Sequence, residues 1–307
     1  MHDFKLVKID ESALDSSVNF IFSDSNGQYI ESRFVQRDPN KFIIYLSSQT
    51  GCTQACRFCH LTQLGLNNGV YSVSIPDFIL QASTVLEYLK QNSDRISGNP
   101  GMISFNFMAR GEPLLNSVIR NSAKMLFSSL AETALEHNYH YKFKISSILP
   151  KDGGYQTKHI VPYYRMLDQM CNSTEMDVSL YYSLYSVNEA FRKRWIPNGI
   201  PPEMAGEILY GNDVGLVLHH AFIAGENDSE KDVEDILKWM EKYSIITDIN
   251  IVRYNPFSQK CGEETSEEKI IKLASLLERS IYVDKLQIVP KVGFDVKASC
   301  GMFVAGE

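Results

Sequence analysis

The sequence predicts an α/β protein in which strands and helices alternate along the chain. Three observations predict it: a series of short β-type apolar runs, helical periodicity between most of them, and connections long enough to carry the chain back for parallel pairing. The first element, Asn19 to Val35, reads as a hairpin turning at Asp24-Ser25-Asn26-Gly27, where Asn-Gly supplies the positive φ values of a tight turn. β-type runs then follow at Lys41 to Ser47, Met102 to Met108, Lys142 to Ser146, Asp177 to Leu184, Leu216 to Ile223, Asp248 to Tyr254 and Leu286 to Val289. The clearest helix is Ser229 to Tyr243, with Val233, Ile236, Leu237 and Met240 on one face and Ser229 with Asp232 as a capping box. Thr265 to Arg279 repeats the design, with Glu268 at the capping-box position and Ile270, Leu273, Ala274 and Leu277 on one face. Parallel βα units wound into a barrel or a doubly wound sheet satisfy this order, and in both the functional residues sit just after strand C-termini.

Composition narrows the class. With 307 residues, 44% hydrophobic and 22% charged, the chain is neither collagen-like, nor a coiled coil, nor disordered. One domain with a small appendage is expected. The start, Met1-His2-Asp3-Phe4-Lys5, has no basic segment followed by an apolar one, and no uninterrupted apolar run of about 18 residues occurs. A cytoplasmic location without a membrane partner is the expectation, and six cysteines in a reducing compartment then read as metal ligands or reactive thiols. Thirty Lys plus Arg against 37 Asp plus Glu gives a net charge of -7, which disfavours steering toward bulk nucleic acid, DNA included. A local basic groove stays open, and Arg192-Lys193-Arg194 and Lys142/Lys144 are its candidate runs.

The strongest chemical signal is Cys52, Cys56 and Cys59, a C-x3-C-x2-C in the loop after the strand Phe42-Ile43-Ile44-Tyr45-Leu46. Three closely spaced thiolates suit a soft metal centre, and a cubane iron–sulfur cluster held by only three cysteines keeps one iron free for an exogenous ligand. The competing reading is a zinc knuckle completed by His60 or a distant cysteine. Zinc sites usually show a second ligand pair about 12 to 20 residues away, and none appears before Cys171.

This spacing after the first strand of a barrel resembles the radical SAM (S-adenosylmethionine) superfamily. More specifically, Ser47-Ser48-Gln49-Thr50-Gly51-Cys52, the stretch from Phe107 through Met108-Ala109-Arg110-Gly111-Glu112-Pro113-Leu114-Leu115 to Asn116, Tyr254-Asn255-Pro256-Phe257 and Ser299-Cys300-Gly301 resemble the RlmN/Cfr-like RNA methyltransferases. These motifs occur in order from about residue 30 to residue 301. The resemblance implies a partial (β/α)6 barrel over residues 41–307 behind an N-terminal β extension, 1–40. It implies a 4Fe-4S cluster on Cys52, Cys56 and Cys59, SAM on its open iron, and a flavodoxin-like electron donor. Gly111 and Glu112 then match residues that receive the SAM amino group. Ser146, with Ser147 as rival, matches a serine near the SAM sugar. Ser183 and Tyr185 match a Ser-Leu-His triplet with tyrosine in place of histidine, and Asn255 matches an asparagine that contacts SAM. Cys300 matches the cysteine that is methylated by one SAM and attacked by the radical from a second, its methylene adding to an unactivated sp2 carbon. Glu31 matches a glutamate near the substrate base, which would hydrogen-bond the base edge or move a proton. The implied reaction is methylation of adenosine carbon-2 or carbon-8 in RNA. Two further readings stand beside it: a radical SAM enzyme of different substrate or outcome, and a catalytically silent iron–sulfur or SAM-binding protein.

The resemblance breaks in two places. Seven residues before Cys52, where the family keeps the cysteine that resolves the protein–substrate adduct, stands Tyr45, and a phenol cannot form a disulfide with Cys300. Cys261 in the loop after Phe257, Cys171, an external thiol, or a different reaction are the alternatives, with Cys261 preferred to Cys171. The first cluster cysteine also comes at residue 52, without room for the family's extra N-terminal RNA-binding domain. With fewer phosphate contacts this predicts a tRNA, an RNA fragment or a smaller adenine-containing substrate.

Overall fold

The structure, a computed structural model, describes residues 3–151, 176–210 and 215–304. Its described strands form one sheet in sequential order: β1 (Lys5–Glu11), β2 (Val18–Ser23), β3 (Tyr29–Asp38), β4 (Lys41–Leu46), β5 (Met102–Phe107), β6 (His140–Ser147), β7 (Val178–Ser183), β8 (Gly215–His220), β9 (Thr247–Ile251) and β10 (Val283–Ile288). β1 to β4 pair antiparallel and β4 to β10 pair parallel, so a meander leads into a parallel sheet. The first and last strands do not pair with each other among the described residues. Each expected run is a strand. β1 was not legible because its alternation, Lys5-Leu6-Val7-Lys8-Ile9-Asp10-Glu11, is mostly exposed on both faces.

The described helices are α1 (His60–Gln63), α2 (Ile75–Gln91), α3 (Ser117–Glu136), α4 (Glu189–Trp195), α5 (Pro202–Leu209), α6 (Glu230–Lys242) and α7 (Glu267–Glu278). α2, α3, α5, α6 and α7 cover the outer face of the parallel sheet, while α1 and α4 lie by the cysteine loop. Phe42, Ile44 and Leu46 of β4, Ile103, Phe105 and Phe107 of β5, and Phe143 and Ile145 of β6 all point outward into one buried cluster with Phe78, Leu86, Leu126 and Phe127 of α2 and α3. Burial of each such side chain contributes about 1.5–3 kcal/mol. Strand alternation then turns Lys41, Ile43, Tyr45, Asn106, Lys144 and Tyr181 to the concave side, where they line a cavity.

Local signals explain the turns and caps that position the loops. Asp24 Oδ1 accepts the Asn26 and Gln28 amides at 2.9 and 2.8 Å and closes the hairpin as predicted. Ser229 and Asp232 form the predicted capping box of α6. The box expected from Thr265 and Glu268 is absent. α7 begins one residue later with Ser266 as N-cap, and the Thr265 hydroxyl instead donates to Asp228 at 3.0 Å, a partner distant in sequence. Asn116 caps α3 through Val118 and Ile119, while its side-chain amide donates to the Ser48 carbonyl at 2.6 Å and the Val73 carbonyl at 3.0 Å. That single side chain fixes α3 against the cysteine-bearing segment.

Candidate active site

All three motif cysteines line one cavity at the C-terminal ends of the parallel strands, an open space of about 900 Å³. Their loop leaves β4 through Gly51, where a Cβ would lie 2.3 Å from the Leu66 carbonyl oxygen that accepts the Cys52 amide. Burial pushes the thiols of Cys52, Cys56 and Cys59 above the ordinary cysteine range, with the mutual repulsion of their thiolates adding to the effect at Cys52 and Cys56. Among the described residues no three His, Cys, Asp or Glu donors stand close enough to hold a single metal ion. His60 is not free to complete a zinc site through Nε2, which donates to the Asn255 carbonyl at 3.0 Å. Thiols spread around one cavity fit a multi-iron cluster better than a mononuclear ion.

The residues matched to SAM binding line the same cavity: Gly111, Glu112, Ser146, Ser183, Tyr185 and Asn255. Gly111 has φ +99°, and a Cβ there would meet Gln49 Cβ and Ser48 Oγ at 2.7 Å, so the strand-end motif needs glycine. Its neighbour Glu112 is buried and accepts the Leu114 amide at 3.1 Å and the Ile148 amide at 3.2 Å. Burial outweighs these bonds and the one from Ser147, raising its pKa to about 7. Ser147 is thus committed to Glu112 and to the Leu149 amide, at 2.9 Å, which leaves Ser146 as the cavity hydroxyl without a described partner. Tyr185, at φ +57°, stacks on Phe58 with ring centroids 4.6 Å apart, beside the cluster cysteines. Asn255 donates to the Cys300 carbonyl at 3.0 Å, but its buried Oδ1 has no partner. An orphaned acceptor facing this cavity fits a ligand that brings a donor, as the amine or hydroxyls of SAM do.

Cys300 reaches the same cavity from the opposite side of the chain. Its backbone neighbourhood is clamped: Arg33 donates to the Ser299 and Met302 carbonyls at 3.3 and 2.6 Å, the His60 amide to the Gly301 carbonyl at 3.0 Å, and Arg110 to the Val304 carbonyl at 2.6 Å. Glu31 holds both arginines, accepting Arg110 Nε at 2.7 Å and Arg33 Nη2 at 3.0 Å, together with Asn19 Nδ2 at 3.0 Å and the Val304 amide at 3.2 Å. The structure therefore does not bring Glu31 to the cavity with the other expected site residues. It is fully buried, is not among the residues lining either cavity described here, and already accepts four hydrogen bonds, so the base-edge position gives way to an anchoring one. Burial opposes its ionisation, but Arg110, Arg33 and Asn19 overcome this and hold its pKa below the usual carboxylate value. Arg33 and Arg110 were missed because nothing in the sequence shows that Arg110, 79 residues from Glu31, shares that carboxylate with Arg33.

A second cavity occupies the concave side of the sheet and is joined to the first through shared lining residues, Met108, His219, Arg253, Asn255 and Cys300. Cys300 thus lines both, and burial of its thiol pushes its pKa above the ordinary cysteine value. Tyr45 lines this second space, where Arg37 donates to its hydroxyl at 3.2 Å. Cys261 is buried, within hydrogen-bond distance of Ser258 and on neither cavity, and Cys171 lies outside the described residues. His219 was not singled out in the sequence, although alternation in the run from Leu216 marks it as inward-facing. Of the expected basic runs, Arg192 is spent on the Leu184 and Ile200 carbonyls, Lys193 pairs with Glu189 and Arg194 with Glu226, whereas Lys144 lines the concave space.

A partial parallel barrel with a three-thiol loop at its strand ends is the class that fold and site define. The chain superposes on a radical SAM methyltransferase from Sphaerobacter thermophilus with a TM-score of 0.73 at 18% identity, covering 98% of this chain and 81% of that one. Over its whole length it is 25% identical to a protein named probable RNA methyltransferase from Rhodopirellula baltica, covering 75% of that protein. It is 24% identical to a probable dual-specificity RNA methyltransferase RlmN from Endomicrobium trichonymphae, across 98% of this chain and 79% of the relative. No protein-family model matches the sequence. The likeness to RlmN-type radical SAM proteins is therefore not confined to the cysteine motif but runs through the barrel to Cys300. No described helix is long and apolar enough to cross a membrane.

Proposed function

We propose that this chain is a radical SAM methyltransferase that transfers a methylene-derived methyl group to an unactivated sp2 carbon of an adenine base in RNA, with Cys300 as the methyl carrier. The observation that carries the reading is the placement of Cys300 on the wall shared by the three-cysteine cavity and a second cavity with room for a substrate. Cys52, Cys56 and Cys59 would hold a 4Fe-4S cluster, which with SAM bound would supply one-electron reductive cleavage of the sulfonium. The protein's part is placement. Glu112, once ionised, accepts the SAM ammonium, Asn255 Oδ1 accepts a second donor, and Gly111 lets the ligand approach the strand-end backbone. The Cys300 thiol gives its proton to water and takes the methyl of a first SAM as a thioether, leaving S-adenosylhomocysteine.

Resolution of the adduct is assigned to a soluble external thiol. Cys261 is buried away from both cavities and Tyr45 cannot make a disulfide, while Cys300 lines a cavity that a small thiol can enter. Anaerobic reconstitution with iron, sulfide, a reductant and labelled SAM tests the function. Labelled methylthioether on Cys300 together with 5'-deoxyadenosine supports it. Deoxyadenosine without modified Cys300 would point to a radical SAM enzyme of another outcome, and neither product to a non-catalytic binding protein. A variant carrying both Cys261→Ala and Cys171→Ala that still releases product upholds the external thiol.

A further inference from the structure

The concave cavity carries a charge pattern that the methyl-transfer reading does not use. On a chain of net charge -7, its lining includes Arg37, Lys41, Lys144 and Lys285. Lys41 pairs with Asp38 at 3.3 Å, but Arg37, Lys144 and Lys285 have no carboxylate within ion-pair distance among the described residues. Lys144 is the deepest of them. It is half-buried on the inner face of β6, two residues before Ser146 and so about 7 Å along the strand from the SAM-side cavity. Its ammonium rests on the Tyr181 ring at 4.7 Å, and Asp177 opposes the surrounding positive charge. Burial and the neighbouring Lys142, Lys41 and Arg37 lower its pKa to about 8, so the folded chain holds this cation at a cost. His219 beside it is neutral for the same reasons. A buried cation among other cations, facing an open cavity, is stabilised by an anion that enters.

We infer that this basic chamber seats a phosphate of the substrate nucleotide, with Lys144 as its inner contact and Arg37 and Lys285 at its mouth, so that the base is presented to Cys300 from the concave side of the sheet. The inference deepens the proposed function, since it rests on an adenine nucleotide being the substrate. A phosphate in this place comes either from a free nucleotide or from a strand of RNA.

Equilibrium binding to the full chain at low salt, without reductant or SAM, tests it with AMP, adenosine and a short single-stranded RNA as probes. AMP is expected to bind at least tenfold more tightly than adenosine, and Lys144→Gln is expected to abolish that preference, weakening AMP about tenfold to a hundredfold while leaving adenosine unchanged. Lys144→Arg restores the preference, which a merely misfolded variant would not do. If AMP binds no better than adenosine but the RNA loses affinity in Lys144→Gln and regains it in Lys144→Arg, the phosphate belongs to a strand. Equal binding of AMP and adenosine with RNA affinity indifferent to Lys144, or no binding of any probe, overturns the inference. Because no turnover is measured, that failure leaves Cys300 methylation standing, and failure of Cys300 methylation leaves a phosphate site standing.

Discussion

Replacing Glu31 with glutamine separates its two roles. In the structure its carboxylate is the shared counter-charge of Arg33 and Arg110, whose side chains are only 2% and 1% exposed. An amide in its place keeps one acceptor oxygen and turns an N–H pair toward buried donors, leaving two guanidinium groups without a charge partner. Removing one member of a buried ion pair costs about 3–5 kcal/mol, and here both pairs are lost together, so the upper part of that range is expected for Glu31→Gln. Urea unfolding followed by circular dichroism measures this directly. The sign with pH follows from the lowered pKa. The stabilisation from Glu31 is complete above the unfolded value of about 4.3 and disappears as pH falls through the lower folded value, so the difference between wild type and variant closes in acid. An unfolding midpoint unchanged by the substitution, with a selective loss of activity on RNA, would refute the anchoring role and return Glu31 to the substrate base.

Other outcomes follow from the cavity. Alanine at Cys52, Cys56 or Cys59 is expected to abolish iron and sulfide retention and the brown absorbance of reconstituted protein, whereas Cys261→Ala retains all three; elemental analysis checks it. Gly111→Ala places a methyl 2.7 Å from Gln49 and Ser48 on a backbone at φ +99°, which costs about 1–3 kcal/mol in strain alone and should weaken SAM binding to cluster-loaded protein, measured by equilibrium dialysis. Since the Glu112 pKa is raised to about 7, SAM affinity should rise between pH 6 and 8 as the carboxylate ionises, and Glu112→Gln should flatten the profile. The same shift acts oppositely on stability, whose Glu112 contribution declines as pH rises from about 4.3 through 7.

Sequence and structure agree where the governing interactions are local or strictly periodic. The parallel strands were legible because each outward face, such as Phe42-x-Ile44-x-Leu46, is continuous in sequence, and the cysteine loop because its ligand spacing is short. The α7 cap failed because Thr265 takes a partner from the loop before α6. Glu31 is the more instructive case. A carboxylate on a strand gives no sign of burial until two arginines and a distant backbone segment close around it, and those contacts span up to 273 residues of sequence. Lys142 and Lys144 could be marked as basic, but only the folded sheet shows that Lys144 borders a cavity.

The clasp formed by β3 and the Ser299–Val304 segment imposes an order on the molecule's assembly. During synthesis the three-thiol loop is made well over two hundred residues before the segment that carries Cys300. Until that segment docks on Arg33 and Arg110, the wall that Cys300, Gly301 and Phe303 give the cavity is missing. Seating of the last strap thus finishes the pocket and brings Cys300 to its wall only after the rest of the chain has been made.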